Sequence, residues 1–321
     1  MSGFTVTGLT TYVAENADNI LQASILSAQT LKIPGITIQA GIKNAEKLLL
    51  MANTAPFQVG GTCAFNASGT TTFSNRTLTV SPLKWNDTFC PEDLEIKFLS
   101  TKLVAGSNYD AMPYEAVIMK AVTDNISGQL EQLIWQGDST NHVFSPNLKQ
   151  FNGWLNIIDA ASPVYATPQA SVTTGTVIAI FDDIYTKIPA ALRNQPDKPL
   201  LAVCGWDTFV TLMIAEKNGN SYHYGDIGNA SAIGEYTMPG TGLKVKAVNG
   251  LNNITGTTAV YKDRIVCTYM PNLAYGTDMA NEYEEAKLWY SMDDQNIKGS
   301  IKWKSGVQIA YGAEIVTYKN S

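Results

Sequence analysis

The chain has 321 residues, of which 45% are hydrophobic and only 16% are charged, and its formal net charge is −6. This length and apolar content suffice for a large buried core, which excludes a disordered tail. Arginine occurs only three times, and an acidic chain with so few guanidinium groups lacks the cationic surface that tight, sequence-specific DNA binding needs. The low charge indicates either extensive protein interfaces, whose centres are depleted of charge, or simply the composition of the source genome.

The cysteines and the N-terminus bear on metal sites and on the compartment. The four cysteines are scattered along the chain, at Cys63, Cys90, Cys204 and Cys267. They form no CxxC pair, so we expect neither a zinc site nor a disulfide framework, but free thiols in a reducing cytoplasm. The N-terminus lacks a basic stretch followed by an apolar one, and no apolar run is long enough to cross a bilayer. We therefore expect no signal peptide and no membrane span.

The first hundred residues predict an arm followed by an extended hairpin. An amphipathic pattern over 13–31 predicts a helix that Pro34-Gly35 ends, and a short segment from Ala45 to Met51 follows. From about 57 to 98 the sequence has the alternation and the Thr-rich composition typical of β-strands, with turn residues at 67–69. A hairpin rich in Thr and Gly buries little core and is marginally stable alone, so we expect it to lie on a neighbouring surface.

The strongest helical pattern covers 113–136. Apolar side chains recur there every four residues, at Tyr114, Ile118, Val122, Ile126, Leu130 and Ile134. Pro113 suits the first helical position, Asp110 is a candidate cap, and Gly137-Asp138 ends the run. Such a helix is about 36 Å long, and because a turn has 3.6 residues the stripe drifts, so its two ends bury different faces. Gly128 costs about 1 kcal/mol relative to Ala, which predicts close packing or a bend at this position.

The rest of the chain alternates between helix and strand before it becomes mostly strand. Helices are predicted over Val177 to Ile188, where Pro189 follows, and over Trp206 to Lys217; strands are predicted over 199–204, 243–248, 259–268, 285–292 and 297–303. In the last strand Lys298 and Lys302 fall on one face, and Ile297, Ile301 and Trp303 fall on the other. The row Lys298, Lys302 and Lys304 is the one candidate surface for contacts with phosphate.

The search for chemistry finds no catalytic motif. GxGxxG, GxxxxGK[ST], HExxH and GxSxG are all absent. The two histidines, His142 and His223, lie in polar surroundings far apart in sequence and are more typical of surface groups than of catalytic bases. Carboxylates cluster at Asp182-Asp183, at Glu282 with Glu284-Glu285, and at Asp293-Asp294. Adjacent carboxylates on a helix do not share a face, and Asp293-Asp294 fits a hairpin turn. We therefore assign no catalytic, cofactor-binding or metal-binding residue and predict that the chain is not an enzyme.

The order of elements is more informative than any motif: arm, hairpin, long helix, mixed domain, second mixed domain and returning strands. Several segments share the texture of one family: LEQLIWQGD (130–138), FNGWL (151–155), IYTKIPAALR (184–193), PLLAVCGWDTFVTL (199–212), TMPGTGLKVKAVNGL (237–251), NLAYGTDM (272–279) and LWYSMDDQNIK (288–298). In this order and texture the chain resembles the major capsid proteins of tailed bacteriophages, the Hong Kong 97 fold family. The resemblance covers nearly the whole chain but contains no diagnostic signature.

The resemblance implies an α+β fold of the Hong Kong 97 type with five parts. These are an N-terminal arm (1–57), an extended β-hairpin loop (58–110), a peripheral domain (111–198) with the spine helix (113–136), an axial domain (199–285) and returning strands (286–321). It also implies self-assembly into hexamers and pentamers of an icosahedral shell around double-stranded DNA, no cofactor, and a place in the virion after assembly in the host cytoplasm. The implied partners are other copies, a portal, packaged DNA without sequence preference, and no membrane.

Two properties of the family concern scaffolding and covalent cross-links between subunits. Many members begin with a long, charged scaffolding region, whereas about fifty residues precede the hairpin here. A separate scaffolding protein, or none, is therefore expected, and a decoration protein is an open question. Some members join subunits by a lysine–asparagine bond, but nothing in the sequence assigns such a pair.

Three alternatives stay open at this stage. Encapsulins, which enclose enzymes instead of a genome, share the capsid fold, and the sequence barely separates the two. A secreted β-rich binding or adhesion protein is suggested by the Thr and Asn content and by six N-x-S/T sequons. The missing signal peptide and the long helix argue against it. An enzyme of unrecognised type is the third alternative.

Overall fold

The structure, a computed structural model, describes residues 28–54, 56–58, 60, 67–90, 114–140, 145–193, 199–219, 234–254, 261–278 and 285–320. Residues 13–27 of the expected arm helix, residues 91–113, Cys63, both histidines, and Glu282 with Glu284 lie outside these ranges. The helices are α1 (Tyr114–Gln136), α2 (Trp154–Ala160), α3 (Val177–Lys187), α4 (Ala190–Arg193) and α5 (Trp206–Asn218). The strands are β1 (Thr37–Gln39), β2 (Ala45–Thr54), β3 (Thr70–Thr79), β4 (Ser81–Phe89), β5 (Val164–Tyr165), β6 (Leu200–Cys204), β7 (Glu235–Thr237), β8 (Lys244–Ala247), β9 (Ile265–Tyr269), β10 (Leu273–Thr277), β11 (Glu285–Ser291), β12 (Asn296–Ile309) and β13 (Val316–Tyr318).

Strand β12 organises the first sheet. It pairs antiparallel with β11 over 296–302, with β10 over 305–309 and, along its other edge, with β4 over 297–305. Strand β1 adds to β10 in parallel. Along β12 the side chains of Ile297, Ile301 and Trp303 are buried, whereas those of the intervening lysines are partly exposed. The alternation predicted from the sequence is therefore confirmed, because successive side chains of a strand point to opposite faces.

The second sheet has the order β5-β13-β9-β6-β8-β7 and holds α3 and α5 against it. Both helices begin and end within a residue of the predicted positions. Ile188 follows α3 in an extended conformation (φ −60°, ψ 127°), because Pro189 disfavours a helical residue before it. Of the strand expected over 259–268, residues 259–260 lie outside the described ranges. Residues 261–264 form a turn in which Asp263 has a φ of 51°, and β9 begins at Ile265. The expected boundary at 198/199 lies between α3 and α5, although the two helices share one core.

Helix α1 lies between the two sheets, and one core cluster joins its side chains to both. The predicted stripe is buried at Ile126, Leu130 and Ile134, but Leu133 and Trp135 are buried as well. The C-terminal half of α1 is therefore enclosed on more sides than one stripe predicts. The expectation for Gly128 is wrong with respect to close packing, since this residue is exposed and a Cβ added there would meet nothing within 4 Å.

Strands β2 and β3 form a two-stranded antiparallel ribbon, in register from Ala45↔Thr79 to Thr54↔Thr70. Only Val80 separates β3 from β4, so the ribbon continues directly from the first sheet. Its base is fixed by a small cluster of Ile42, Leu78 and Val80. The first strand of the hairpin is thus Ala45–Thr54, a segment that was predicted to belong to the arm. The uninterrupted apolar run Leu48 to Met51 hides the alternation of this strand, which explains the difference.

We expect the effect of a substitution in α1 to depend on whether it falls on the buried or on the exposed face of the helix. Leu130→Ala should lower the free energy of unfolding by about 2–5 kcal/mol, because a buried Leu truncation loses transfer energy and leaves a cavity. Gln129→Ala, at an exposed position, is the matched control and should change it by less than about 0.5 kcal/mol. Urea unfolding of dissociated subunits measures both, and equal losses would contradict the helical phase.

Candidate assembly surface

The outer half of the ribbon exposes large apolar side chains. Leu49, Met51 and Phe73 are 73%, 56% and 65% exposed. Met51 lies directly opposite Phe73, and Leu49 is two residues along the same strand, so all three occupy one face. We call these three residues the ribbon patch. No charged side chain occurs within 48–54 or 70–75, so covering this surface would desolvate no charge. A contiguous exposed apolar surface of this kind is a candidate site of contact with another protein.

A hydroxyl group fixes the ribbon at mid-length. Tyr311, which follows the end of β12, places its hydroxyl 3.4 Å from the backbone nitrogen of Met51 and 3.3 Å from its carbonyl oxygen. Closer to the base, the Gln308 side-chain amide donates to the Thr77 carbonyl at 2.7 Å. The ribbon therefore runs alongside the continuation of β12, and its patch has a defined position before any partner binds.

A cleft of about 550 Å³ lies between β4, β12 and α1. Its lining combines apolar side chains with amide and basic ones: Pro82, Leu83, Lys84, Trp85, Ile126, Gln129, Leu130, Leu133, Asn147, Gln150, Lys302 and Trp303. The side-chain amide of Asn147 donates to the side-chain carbonyl oxygen of Gln129 at 3.0 Å. The Trp303 indole N–H is buried and has no hydrogen-bond partner among the described residues. A buried donor without an acceptor is costly.

A buried carboxylate joins the end of the arm to α1. Glu131 is 2% exposed and accepts a hydrogen bond from the Thr30 backbone N–H at 2.9 Å and another from the Thr30 hydroxyl. The Trp135 indole in turn donates to the Thr30 hydroxyl oxygen at 2.7 Å. Burial raises the pKa of Glu131 above its ordinary value, while hydrogen bonds from Thr30 and the Gly250 backbone oppose that rise. We call Thr30, Glu131, Trp135 and Gly250 the arm junction.

Glycines allow three backbone segments to meet at the C-terminal end of α1. The Gly153 N–H donates to the Gly137 carbonyl at 2.8 Å, and a Cβ at Gly153 would lie 2.7 Å from both the Gly137 nitrogen and the Trp135 carbonyl oxygen. A Cβ at Gly250 would lie 2.6 Å from the Glu131 carbonyl oxygen. Any larger residue at these two positions would force the segments apart. Beside this contact the rings of Trp135 and Trp154 pack edge to face at 4.9 Å.

The carboxylate pairs that the sequence singled out have structural roles where they are described. Asp183 accepts the Thr167 backbone N–H at 2.6 Å and pairs with Lys187 at 3.1 Å, and these contacts lower its pKa although burial acts the other way. Asp182 is exposed and apart from it. Asp294 lies in the predicted turn and pairs with Lys298. Among the described residues no group of three or more His, Cys, Asp or Glu is arranged to hold a metal.

Three of the four cysteines lie within the described ranges, and all three are free. Cys204 and Cys267 are free and buried, and burial raises the pKa of Cys267 to about 12, so neither is poised as a nucleophile. Cys90 is free and exposed. Within the described ranges no helix combines the length and the apolar character that crossing a bilayer requires. Neither the ribbon patch nor the arm junction was identified from the sequence, although the apolar run at 48–51 was a signal for the first.

The arm junction generates a prediction about pH. Because the pKa of Glu131 is raised in the folded subunit, folding favours its protonated form, and its contribution to the free energy of unfolding falls as pH rises through that pKa. Glu131→Gln removes this contribution. The free energy of unfolding of the Gln variant minus that of the wild type should therefore increase between about pH 4 and pH 7.

Asp294→Asn is the control of opposite sign. Lys298 lowers the pKa of Asp294, so wild-type stability gains from ionisation and the corresponding difference should decrease with pH, by a small amount at this exposed site. Urea unfolding at a series of pH values measures both variants. A flat or falling difference for Glu131→Gln would contradict an ionisable, buried carboxyl at the arm junction.

Comparison with known proteins identifies the fold. No protein-family model matches the sequence, and no curated protein matches it. Among solved structures, a chain of the satellite phage P4 procapsid, solved with its size determination protein, is 11% identical with a TM-score of 0.62, covering 100% of this chain and 92% of that one. The capsid of the empty GTA particle is 10% identical with a TM-score of 0.56, covering 93% and 90% of the two chains.

A third structure agrees with these two. The capsid of Myoviridae phage XM1 is 11% identical with a TM-score of 0.53, covering 89% of this chain and 90% of that one. Identities this low establish architecture and leave function to be argued from surfaces. The chain therefore has the α+β capsid fold of tailed phages that the resemblance in its sequence predicted.

Proposed function

We propose that this chain is a major capsid protein that assembles into hexamers and pentamers of an icosahedral shell enclosing double-stranded DNA. The observation that carries the proposal is the similarity to procapsid and capsid chains over nearly the full length of both partners. In this proposal the chain works by binding copies of itself and performs no catalysis.

The ribbon patch supports self-association. An apolar surface on the uncharged outer half of the ribbon is costly in water, and covering it with another subunit removes that cost. We propose the division into arm (1–57), extended loop (58–110), peripheral domain (111–198), axial domain (199–285) and returning strands (286–321), with the ribbon lying across an adjacent subunit. Strand β2 belongs functionally with the extended loop in this scheme.

The placement of basic groups supports enclosure of DNA without tight binding. Arg264 is fully buried and holds the Asp159 carboxylate through both terminal nitrogens, at 2.9 and 2.6 Å. In the candidate lysine row, Lys298 pairs with Asp294 and Lys304 pairs with Asp278 at 2.7 Å. Few of these cations remain to neutralise phosphate. A shell that held its genome tightly would also oppose packaging and release.

The remaining elements of the proposal concern partners and place. A portal, and a separate scaffolding or decoration protein where one is used, would bind the same shell, and no membrane takes part. The chain would assemble in the host cytoplasm and remain in the virion. These partners and this location follow from the capsid role, and evidence against that role would also exclude them.

Electron microscopy of negatively stained, purified protein tests the proposal. We expect closed shells, and particles recovered from the native source should contain nuclease-protected DNA of many sequences. A chain that sediments as a stable single subunit of 34.8 kDa at all concentrations would contradict the capsid role. Shells that contain an enzyme in place of DNA would identify an encapsulin-type compartment instead.

Deletion of the ribbon tip, residues 67–71, tests the role of the extended loop. The tip is exposed and contributes nothing to the core of its own subunit. We therefore expect the circular dichroism spectrum and unfolding midpoint of dissociated subunits to be retained and the yield of shells to fall. An unfolded subunit would show instead that the ribbon belongs to the core.

A further inference from the structure

We propose that the arm junction is a pH-dependent latch, in which the protonated Glu131 side chain holds the arm against α1 and ionisation of that carboxyl loosens the contact. The segment that is held comprises residues 28–33, which we call the arm exit. The inference goes beyond the proposed function, because it concerns contacts within one subunit and requires no assembly.

The arm exit enters the core beside a carboxyl group. Thr30 has no exposed surface, and its neighbours Leu31 and Ile33 are 7% and 4% exposed. The Thr30 backbone N–H and hydroxyl both donate to Glu131, and the Trp135 indole donates to the same hydroxyl. The two hydrogen bonds to Glu131 therefore fix both the backbone and the side chain of the residue at which the arm meets α1.

The other polar contacts of the arm exit are made by a half-exposed side chain. Gln29 accepts a hydrogen bond from the Asn249 backbone N–H at 3.1 Å and donates to the Ala247 carbonyl oxygen at 3.4 Å. None of these groups titrates between pH 4 and pH 8, because all are amides. The polar attachment of the arm exit therefore depends on pH through Glu131.

The charged groups around Glu131 leave its ionised form without an ion pair. No Lys, Arg or His of the described residues pairs with this carboxylate. Lys32, on the arm exit, is exposed and is the one charged group that acts on the carboxyl from a distance. The facing 3₁₀ turn Asn249–Leu251 contributes a backbone N–H and no titratable group. A buried charge without a counterion is costly, so the carboxyl favours binding a proton.

Burial also sets the direction of the pH dependence. It raises the pKa of Glu131 above the ordinary value of 4.5, and the donors from Thr30 and Gly250 offset part of that rise. When the arm exit detaches, water reaches the carboxyl and its pKa returns towards 4.5. The detached state therefore ionises at a lower pH than the attached state. Rising pH favours detachment between 4.5 and the raised pKa, and above it both states are ionised and the equilibrium stops changing.

Hydrogen–deuterium exchange of the full-length protein measures detachment, because the Thr30 amide proton takes part in the latch. Exchange of a peptide that covers the arm exit is recorded from about pH 4 to pH 8 and corrected for the chemical exchange rate. We expect the opening constant to rise by up to about tenfold per pH unit above 4.5 and then to reach a plateau. A peptide from β9, whose residues are all buried and carry no carboxyl, is the internal control and should show no such rise.

Three variants test the role of the carboxyl. Glu131→Gln keeps an oxygen that accepts from Thr30 but cannot ionise, so the opening constant should not change with pH. Thr30→Val removes a donor that stabilises the ionised form, so the pKa of Glu131 should rise further and the plateau should begin at a higher pH. Thr30→Ser keeps the hydroxyl and is the matched control, with a plateau that begins where that of the wild type does.

Each outcome supports or overturns the latch. Equal pH profiles for the wild type and Glu131→Gln would overturn it, and so would an opening constant that falls as pH rises. Where Glu131→Gln does not fold, the two Thr30 variants decide. A plateau moved to higher pH by Thr30→Val and left in place by Thr30→Ser supports the latch, and an unmoved plateau in both overturns it. None of these results depends on whether the chain forms shells, which microscopy tests separately.

Discussion

The close approach of backbone to the C-terminal end of α1 is the constraint on which the rest of the structure depends. At this point the arm, the α1–α2 connection and the 3₁₀ turn Asn249–Leu251 converge, and glycine is required at Gly153 and Gly250 because a side chain would collide with backbone. Polar groups at the same place would be costly if unpaired. The Thr30 backbone N–H donates to Glu131 at 2.9 Å, and the Gln136 side-chain amide donates to the Gly250 carbonyl oxygen at 2.7 Å. The side-chain oxygen of Gln136 is buried and has no partner among the described residues.

Both sheets are positioned through this junction. Side chains of α1 share one core with Ile297, Ile301 and Trp303 of the first sheet and with Val203 and Val266 of the second. The second core, under α3 and α5, is separate and holds the remaining strands of the second sheet. The subunit thus has a main hydrophobic core that links both sheets and a second core that completes the second sheet. The cleft lies beside the first sheet, and the ribbon extends from that sheet through β4.

The parts that sequence reasoning found are those governed by local periodicity. Helix α1, helices α3 and α5, and the alternation of β12 all follow from side-chain spacing, which needs no knowledge of distant contacts. The features that the sequence did not predict depend on contacts between residues that are far apart in the chain. Strand β2 is recognisable only through its register with β3. Glu131 resembles an ordinary surface residue in the sequence, because its contact with Thr30 becomes apparent only in the fold. The exposure of Gly128 is a tertiary fact of the same kind.

The continuity of β3 and β4 has a mechanical consequence. A force applied to the ribbon along its length acts on β4, which is held to β12 by a ladder of nine residue pairs from Ile297↔Phe89 to Ser305↔Ser81. The hydrogen bonds of this ladder lie perpendicular to the pull, so they share the load and must break together rather than one after another. Tension that arrives through the ribbon is therefore resisted in shear by the longest strand of the subunit and distributed into the sheet that packs against α1.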